Sequence, residues 1–232
     1  MDDIESFIGA VSRFARLPVS NDTDAVLLDL TQTVTGLLDL TGAGISLATD
    51  GQLRYVTAAS EPAAELERCQ EQFRSGPCCV AHTTRVTVPV TDVGEYTVRW
   101  PGYVAAARRV GIAAVAAIPI THGTEGVGVL DLYAAQQRTW WRADLEAARV
   151  LADIAGGYLV NSAVQHHQRQ LTEQLQRALD TRIVIEQAKG ILANENTIDM
   201  DQAFALIRNH ARSHHVTVQA VARAIVELHL RL

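Results

Sequence analysis

Apolar residues recur at three- and four-residue steps from Asp3 to Arg16, at Ile4, Phe7, Ile8, Val11 and Phe14, which is the period of an amphipathic helix. Leu17-Pro18 stops it. A second helix is predicted from the Asn21-Asp22-Thr23-Asp24 start signal, through Val26, Leu30, Val34 and Leu37, to Gly42. The period then changes to two. Ile45 to Thr49 and Leu53 to Thr57 flank Asp50-Gly51, the turn chemistry of a β-hairpin. Pro62 to Phe73 reads as helix, Arg85 to Val90 as extended, and Pro101 to Val110 as helix again. Ala113 to Thr121 and Gly126 to Ala134 form two further β runs around His122-Gly123-Thr124-Glu125. Hairpins and short helices alternate without the strand-helix rhythm of a parallel sheet, so an antiparallel sheet with flanking helices is expected, an α+β fold.

Helical periodicity resumes from Arg142 to Val164, with Gly156-Gly157 as an expected interruption, and this helix closes the first domain. Gln165 to Glu195 holds one glycine and no proline, and its leucines at 171, 175 and 179 step by four. Val164, Leu171 and Ala178 recur every seven residues on a neighbouring stripe. Two readings stand here: a short coiled coil, or packing against the helices that follow. After a break at Asn194 to Asp199, Met200 to Arg212 places Ala203, Phe204, Ile207 and Ala211 on one face. Thr217 caps a last helix with a stripe of Val218, Val221, Ala222, Ile225 and Leu228. Ala188, Phe204, Ile207 and Val221 are the expected core of this three-helix tail. The pattern gives an α+β domain over 1–163, a helical connector over 164–178 and an all-α unit over 179–232.

Charge sharpens that division. The 232 residues carry a net charge of -6, which argues against indiscriminate nucleic-acid binding. Residues 1–165 hold 19 acidic and 12 basic residues, a net of -7, whereas residues 166–232 hold 7 and 8, a net of +1. The tail also contains six of the eight histidines and the chain's single lysine, Lys189. The longest apolar run, Val110 to Ile120, is far shorter than the roughly 20 residues of a membrane helix. Met1-Asp2-Asp3-Ile4-Glu5 has neither a positive nor an apolar leader region, so a cytoplasmic location is expected. Three cysteines, two of them adjacent (Cys69, Cys78, Cys79), make a poor disulfide framework and agree with a reducing compartment.

In the tail, Arg182, Glu186 and Lys189 stand at i, i+4 and i+7, and Arg208 and Arg212 at i and i+4 on the next helix. Such a surface can contact phosphates, with Gly190 permitting close backbone approach and Gln187 or Ser213 offering hydrogen bonds to a base edge. The same spacing also describes a solvated face with an Arg182–Glu186 pair worth a few tenths of a kcal/mol. The run Arg182-Ile183-Val184-Ile185-Glu186-Gln187-Ala188-Lys189-Gly190-Ile191-Leu192, with Ala203-Phe204-Ala205-Leu206-Ile207-Arg208, Ala211-Arg212-Ser213 and Val221-Ala222, resembles the ANTAR family of RNA-binding antitermination domains. The chain departs from that family's usual pattern at Ala193, where methionine is common. Upstream, Ser75-Gly76-Pro77-Cys78, Trp100-Pro101, Ile118-Pro119-Ile120 and Gly126-Val127-Gly128-Val129-Leu130-Asp131-Leu132-Tyr133 resemble the GAF sensor domain.

The resemblance implies a GAF-like sensor ahead of a three-helix ANTAR unit. Its implied partners are paired hairpins in nascent RNA, bound by a homodimer, with termination prevented and the sensor modulating the response. Arg182, Gln187, Lys189, Gly190, Arg208, Arg212 and Ser213 are the candidate RNA-binding residues. Cys78, Trp100 and Tyr103 are candidates for a sensor pocket holding a small-molecule ligand, and the two aromatics serve equally as core. No cofactor, metal, membrane or catalytic set is expected. His210 and His214 have metal-compatible spacing without a third ligand, so they read as surface. Two alternatives stay open. In one the tail only oligomerises a ligand-sensing or partner-binding dimer. In the other, Cys78 with Cys69 mimics the GAF-fold reductases of free methionine sulfoxide, a chemistry that needs a thiolate.

Overall fold

A computed structural model describes residues 2–17 and 22–232, with side chains from Glu5 onward. The Pro18 stop and Asn21 start lie outside the described residues, as does the Ile4 side chain. The chain divides into two compact units, 1–165 and 166–232.

The first unit opens with α1 (Asp2–Ala15) and α2 (Thr23–Leu37). Asp22 caps α2, its side chain accepting from the Asp24 N–H at 3.1 Å. The helix ends at Leu37, before the predicted Gly42, because Asp39 turns into the left-handed region (φ 49°) and Gly42 already belongs to a strand. β1 (Gly42–Thr49) and β2 (Gln52–Ala58) make the expected hairpin, with Asp50 and Gly51 both at positive φ (50° and 74°), as a two-residue turn that follows strand twist requires. α3 (Glu61–Phe73) is capped by Ser60. The sequence pattern missed α4 (Pro77–Thr84), an eight-residue helix. Of the extended stretch predicted at 85–90, only β3 (Val88–Val90) is strand. A 3-10 turn at Val93–Tyr96, α5 (Pro101–Val110), β4 (Ala114–His122) and β5 (Glu125–Ala134) follow.

The five strands form one sheet in the order β2-β1-β5-β4-β3, every pair antiparallel. Helices cover both faces. Ala43, Ile45, Ala116, Ile118, Leu130 and Leu132 pack with Phe14, Leu27, Leu30, Leu151 and Ala155 from the N-terminal helices and the long helix described next. The opposite face brings Val115 and Tyr133 against Leu66, Trp100, Tyr103 and Ala107. Double coverage explains why β4 reads as continuous apolar sequence instead of alternating.

α6 is one uninterrupted helix, Arg142–Asn196, 55 residues long. The break expected at Gly156-Gly157 does not occur. Gly156 serves a close approach: a β-carbon there would lie 2.6 Å from the Thr121 carbonyl oxygen, so the glycine lets the helix backbone lie against the sheet. The second unit adds α7 (Met200–Ser213) and α8 (Val218–Leu228), capped by Asp199 and Thr217 respectively. Its core is Ala188, Leu192, Ala203, Ile207, Ala211, Val221, Ala222 and Ile225. Phe204, expected in that core, is only half-buried.

Candidate functional site

In the second unit, Lys189 gathers partners from two helices. Its Nζ donates to both carboxylate oxygens of Glu186, each at 3.0 Å, and stands 5.8 Å from the centre of the Phe204 ring on α7. Partial desolvation strengthens a cation over an aromatic face, and only 15% of the Lys189 side chain is exposed. Phe204 leaves the core for this reason: its ring lies under the ammonium. Arg182, Ile185, Thr181 and Ala178 complete a shallow cavity of about 290 Å³ with Glu186, Lys189 and Phe204.

Helix geometry divides the other candidates. At roughly 100° per residue, Arg182 and Lys189 lie within about 20° of one line, whereas Gln187 points about 160° away from Lys189. Gln187 and Gly190 are exposed, and neither lines the cavity. Arg208 and Arg212 are exposed on α7 and follow Phe204 at successive four-residue steps. Ser213 Oγ donates to the His210 carbonyl at 3.0 Å, so its hydroxyl is occupied by its own helix. His210 and His214 stack with ring centres 4.0 Å apart, and His214 Nδ1 lies 3.0 Å from the His210 carbonyl. Parallel rings do not converge their nitrogens on an ion. The folded helices therefore bring Arg182, Lys189 and Phe204 together, and leave Gln187 and Gly190 off that site.

The first unit contains a polar cluster that sequence reasoning missed. Glu67 of α3 and Asp131 of β5 are both wholly buried. Ser46 Oγ donates to Glu67 Oε2 at 2.6 Å, and the Tyr133 hydroxyl donates to Glu67 Oε1 at 2.9 Å. Gln70 Nε2 lies 3.4 Å from Asp131 Oδ2, while Gln70 Oε1 accepts from the Cys78 N–H at 2.9 Å. A β-carbon on Gly44 would fall 2.4 Å from Glu67 Oε1, so glycine in β1 makes room for the carboxyl. Burial pushes the Asp131 carboxyl well above its usual range, and the Glu67 charge pushes it further. Glu67 is raised by burial too, against the opposing hydrogen bonds from Ser46 and Tyr133. The signal for Asp131 was present as a charge between Leu130 and Leu132 in the buried, apolar half of β5.

The GAF domain family matches residues 20–160, more than half of the chain. The chain belongs to that family. The ANTAR domain family matches residues 173–226, so the cluster around Lys189 lies in the ANTAR domain and the buried carboxyls in the GAF domain. That pairing is the arrangement of a regulator with a sensor domain. No curated protein matches the chain. Among solved structures, the GAF domain of a phosphoenolpyruvate-protein phosphotransferase from Acinetobacter is similar at 10% identity, covering 69% of this chain and 94% of that one, with a TM-score of 0.55. Free methionine-R-sulfoxide reductase from Neisseria meningitidis, solved with its substrate, is similar at 18% identity over 70% and 91% of the two chains, TM-score 0.55. A GAF domain/HD domain protein from Geobacter sulfurreducens is similar at 17% identity over 64% and 99%, TM-score 0.51. These likenesses are of fold alone.

Within the GAF domain, Trp100 and Tyr103 are 3% and 1% exposed. Trp100 stacks on Tyr96 at 4.7 Å and meets Tyr103 edge-on at 6.3 Å, the packing of core aromatics. An open cavity of about 680 Å³ lies elsewhere, lined by Arg54, Arg68, Gln70, Glu71, Cys79 and His82 among others. Neither aromatic nor Cys78 lines it. All three cysteines are free thiols. Burial raises each of them, Cys78 well above the ordinary range and Cys79 to about 11, with Asp131 adding to both. A thiol held protonated is a poor nucleophile. Among the described residues, no helix is long and apolar enough to cross a membrane.

Proposed function

We propose that the protein is a transcription antitermination regulator that binds paired RNA hairpins through its ANTAR domain, under the control of its GAF domain. The observation that carries this reading is the ANTAR match over residues 173–226, which contains the only lysine of the chain seated between Glu186 and Phe204. An exposed loop base can stack on an aromatic ring, while Lys189 and Arg182 meet the adjoining phosphates. Arg208 and Arg212 extend the cationic surface along α7. Binding favours the hairpin conformer over a competing terminator, by no more than the difference in affinity for the two RNA folds.

A homodimer matches a two-hairpin target. Supporting it, Leu171, Leu175, Leu179 and Ile183 on α6 are 50%, 62%, 53% and 47% exposed, an apolar stripe that a second copy would cover. The GAF cavity beside Gln70, Cys79 and His82 is the place for a small polar ligand, given its arginine and glutamate lining. The compartment that fits an RNA regulator is the cytoplasm.

The test is a binding titration with a two-hairpin RNA and a loop-scrambled control, for the wild-type protein and Lys189→Ala. Selective binding that the variant loses supports the reading. Equal or absent binding to both RNAs reduces the tail to an oligomerisation bundle.

A further inference from the structure

Glu67, Cys78 and Asp131 come from three elements, α3, α4 and β5, and converge in the interior of the GAF domain. One ligand atom of each, two carboxylate oxygens and Cys78 Sγ, lie within 4.8 Å of one another, and all three residues are buried. Ligands placed about 2.0–2.3 Å from one ion stand at mutual separations inside that limit. Two buried polar atoms, one of them in the cluster itself, point to the same place. Asp131 Oδ1 and the Tyr103 hydroxyl meet no hydrogen-bond partner, although leaving such a group unsatisfied costs about 1–3 kcal/mol.

The surrounding bonds are those of an outer shell. Ser46 and Tyr133 fix the two oxygens of Glu67, Gln70 fixes Asp131 Oδ2, and the free oxygen of Asp131 remains. Outer partners of this kind orient ligating carboxylates. Gln70 also lines the open cavity together with Cys79, so displacement of one side chain gives an entry path from solvent. We propose that Glu67, Cys78 and Asp131 form a binding site for a divalent transition-metal ion of the zinc or ferrous class, with Tyr103 beside it. One thiolate with two carboxylates selects that class: calcium takes six to eight oxygens, magnesium keeps its waters, and neither favours sulfur. Three anionic ligands against a doubly charged ion leave a small residual charge, whereas the same groups ionised without a cation would be three unpaired buried charges.

Cobalt(II) is the probe. It is titrated into the full-length protein after chelator treatment, with a phosphine as the reductant, and the thiolate-to-cobalt charge-transfer absorption in the near ultraviolet is recorded. The expected result is a band that saturates at one ion per chain and is displaced by zinc. Cys78→Ser abolishes it and Cys69→Ser retains it. Asp131→Asn weakens binding by more than about 100-fold, beyond the roughly 10–100-fold that follows loss of an outer partner. Absence of the band in the wild type, its survival in Cys78→Ser, or its dependence on Cys79 instead overturns the proposal and leaves Glu67 and Asp131 as a core carboxyl pair. Should circular dichroism show Cys78→Ser unfolded, X-ray absorption on the unmodified zinc-loaded protein decides. One sulfur with oxygen neighbours supports the site, and a sulfur-free shell, as the tail histidines would give, overturns it.

Discussion

Lys189 has two partners, one on its own helix and one on α7. Glu186 grips the ammonium through both oxygens, and the same ammonium lies over Phe204. Its ion pair is half in solvent on the Glu186 side, and such pairs contribute about 0.2–1 kcal/mol. Lys189→Ala is therefore expected to leave the melting temperature nearly unchanged while lowering RNA affinity. Phe204 separates stacking from charge. Phe204→Ala is expected to cost about 1–3 kcal/mol of affinity for loop-exposed RNA, and Phe204→Tyr to recover most of it, as measured by fluorescence anisotropy. Unaltered binding by Phe204→Ala would remove the ring from the interface. The Arg182–Lys189 line was legible in the sequence because helical spacing alone sets it. Phe204 was misassigned because its position on the apolar face of α7 holds no information about a lysine on another helix. Glu67 was invisible for the same kind of reason: α3 carries four glutamates, and only the gap at Gly44, across the sheet, decides which one is buried.

Elements with local chemistry were the legible ones. Asp50-Gly51 fixed one hairpin, Thr217 fixed the start of α8, and Pro101 opened α5 at the expected residue. α4 escaped because eight residues span about two turns, too few to display a stripe. The uninterrupted course of α6 escaped because glycine pairs ordinarily weaken a helix, while here one of them meets a tertiary demand. That contrast yields a paired prediction for urea denaturation. Gly156→Ala forces a β-carbon to 2.6 Å from the Thr121 carbonyl oxygen and is expected to destabilise by about 1–3 kcal/mol. Gly157→Ala meets nothing within 4 Å and is expected to stabilise by about 0.5–1 kcal/mol through the helix propensity of alanine. Equal effects at the two positions would mean that α6 does not press on the sheet there.

At the scale of the molecule, the chain divides into two compact units between 165 and 166, where its charge and histidine content change. What the pattern left open was whether the connector leucines pack internally. They remain exposed, and an apolar stripe in water favours association. Leu175→Glu with Leu179→Glu is expected to shift the protein from dimer to monomer in sedimentation velocity, and to weaken binding to a two-hairpin RNA more than to a single hairpin. A dimer that survives both changes would place self-association elsewhere in the chain. The net charge of +1 over residues 166–232 implies few phosphate contacts, so RNA affinity is expected to fall only shallowly with salt. The most direct test of the central claim is single-round transcription through a terminator preceded by two hairpins with exposed loops. Added protein should raise readthrough on that template, Lys189→Ala should not, and a loop-scrambled template should be unresponsive. Unchanged readthrough with the wild-type protein at concentrations that saturate the RNA, or an equal increase on the scrambled template, would contradict antitermination by loop recognition.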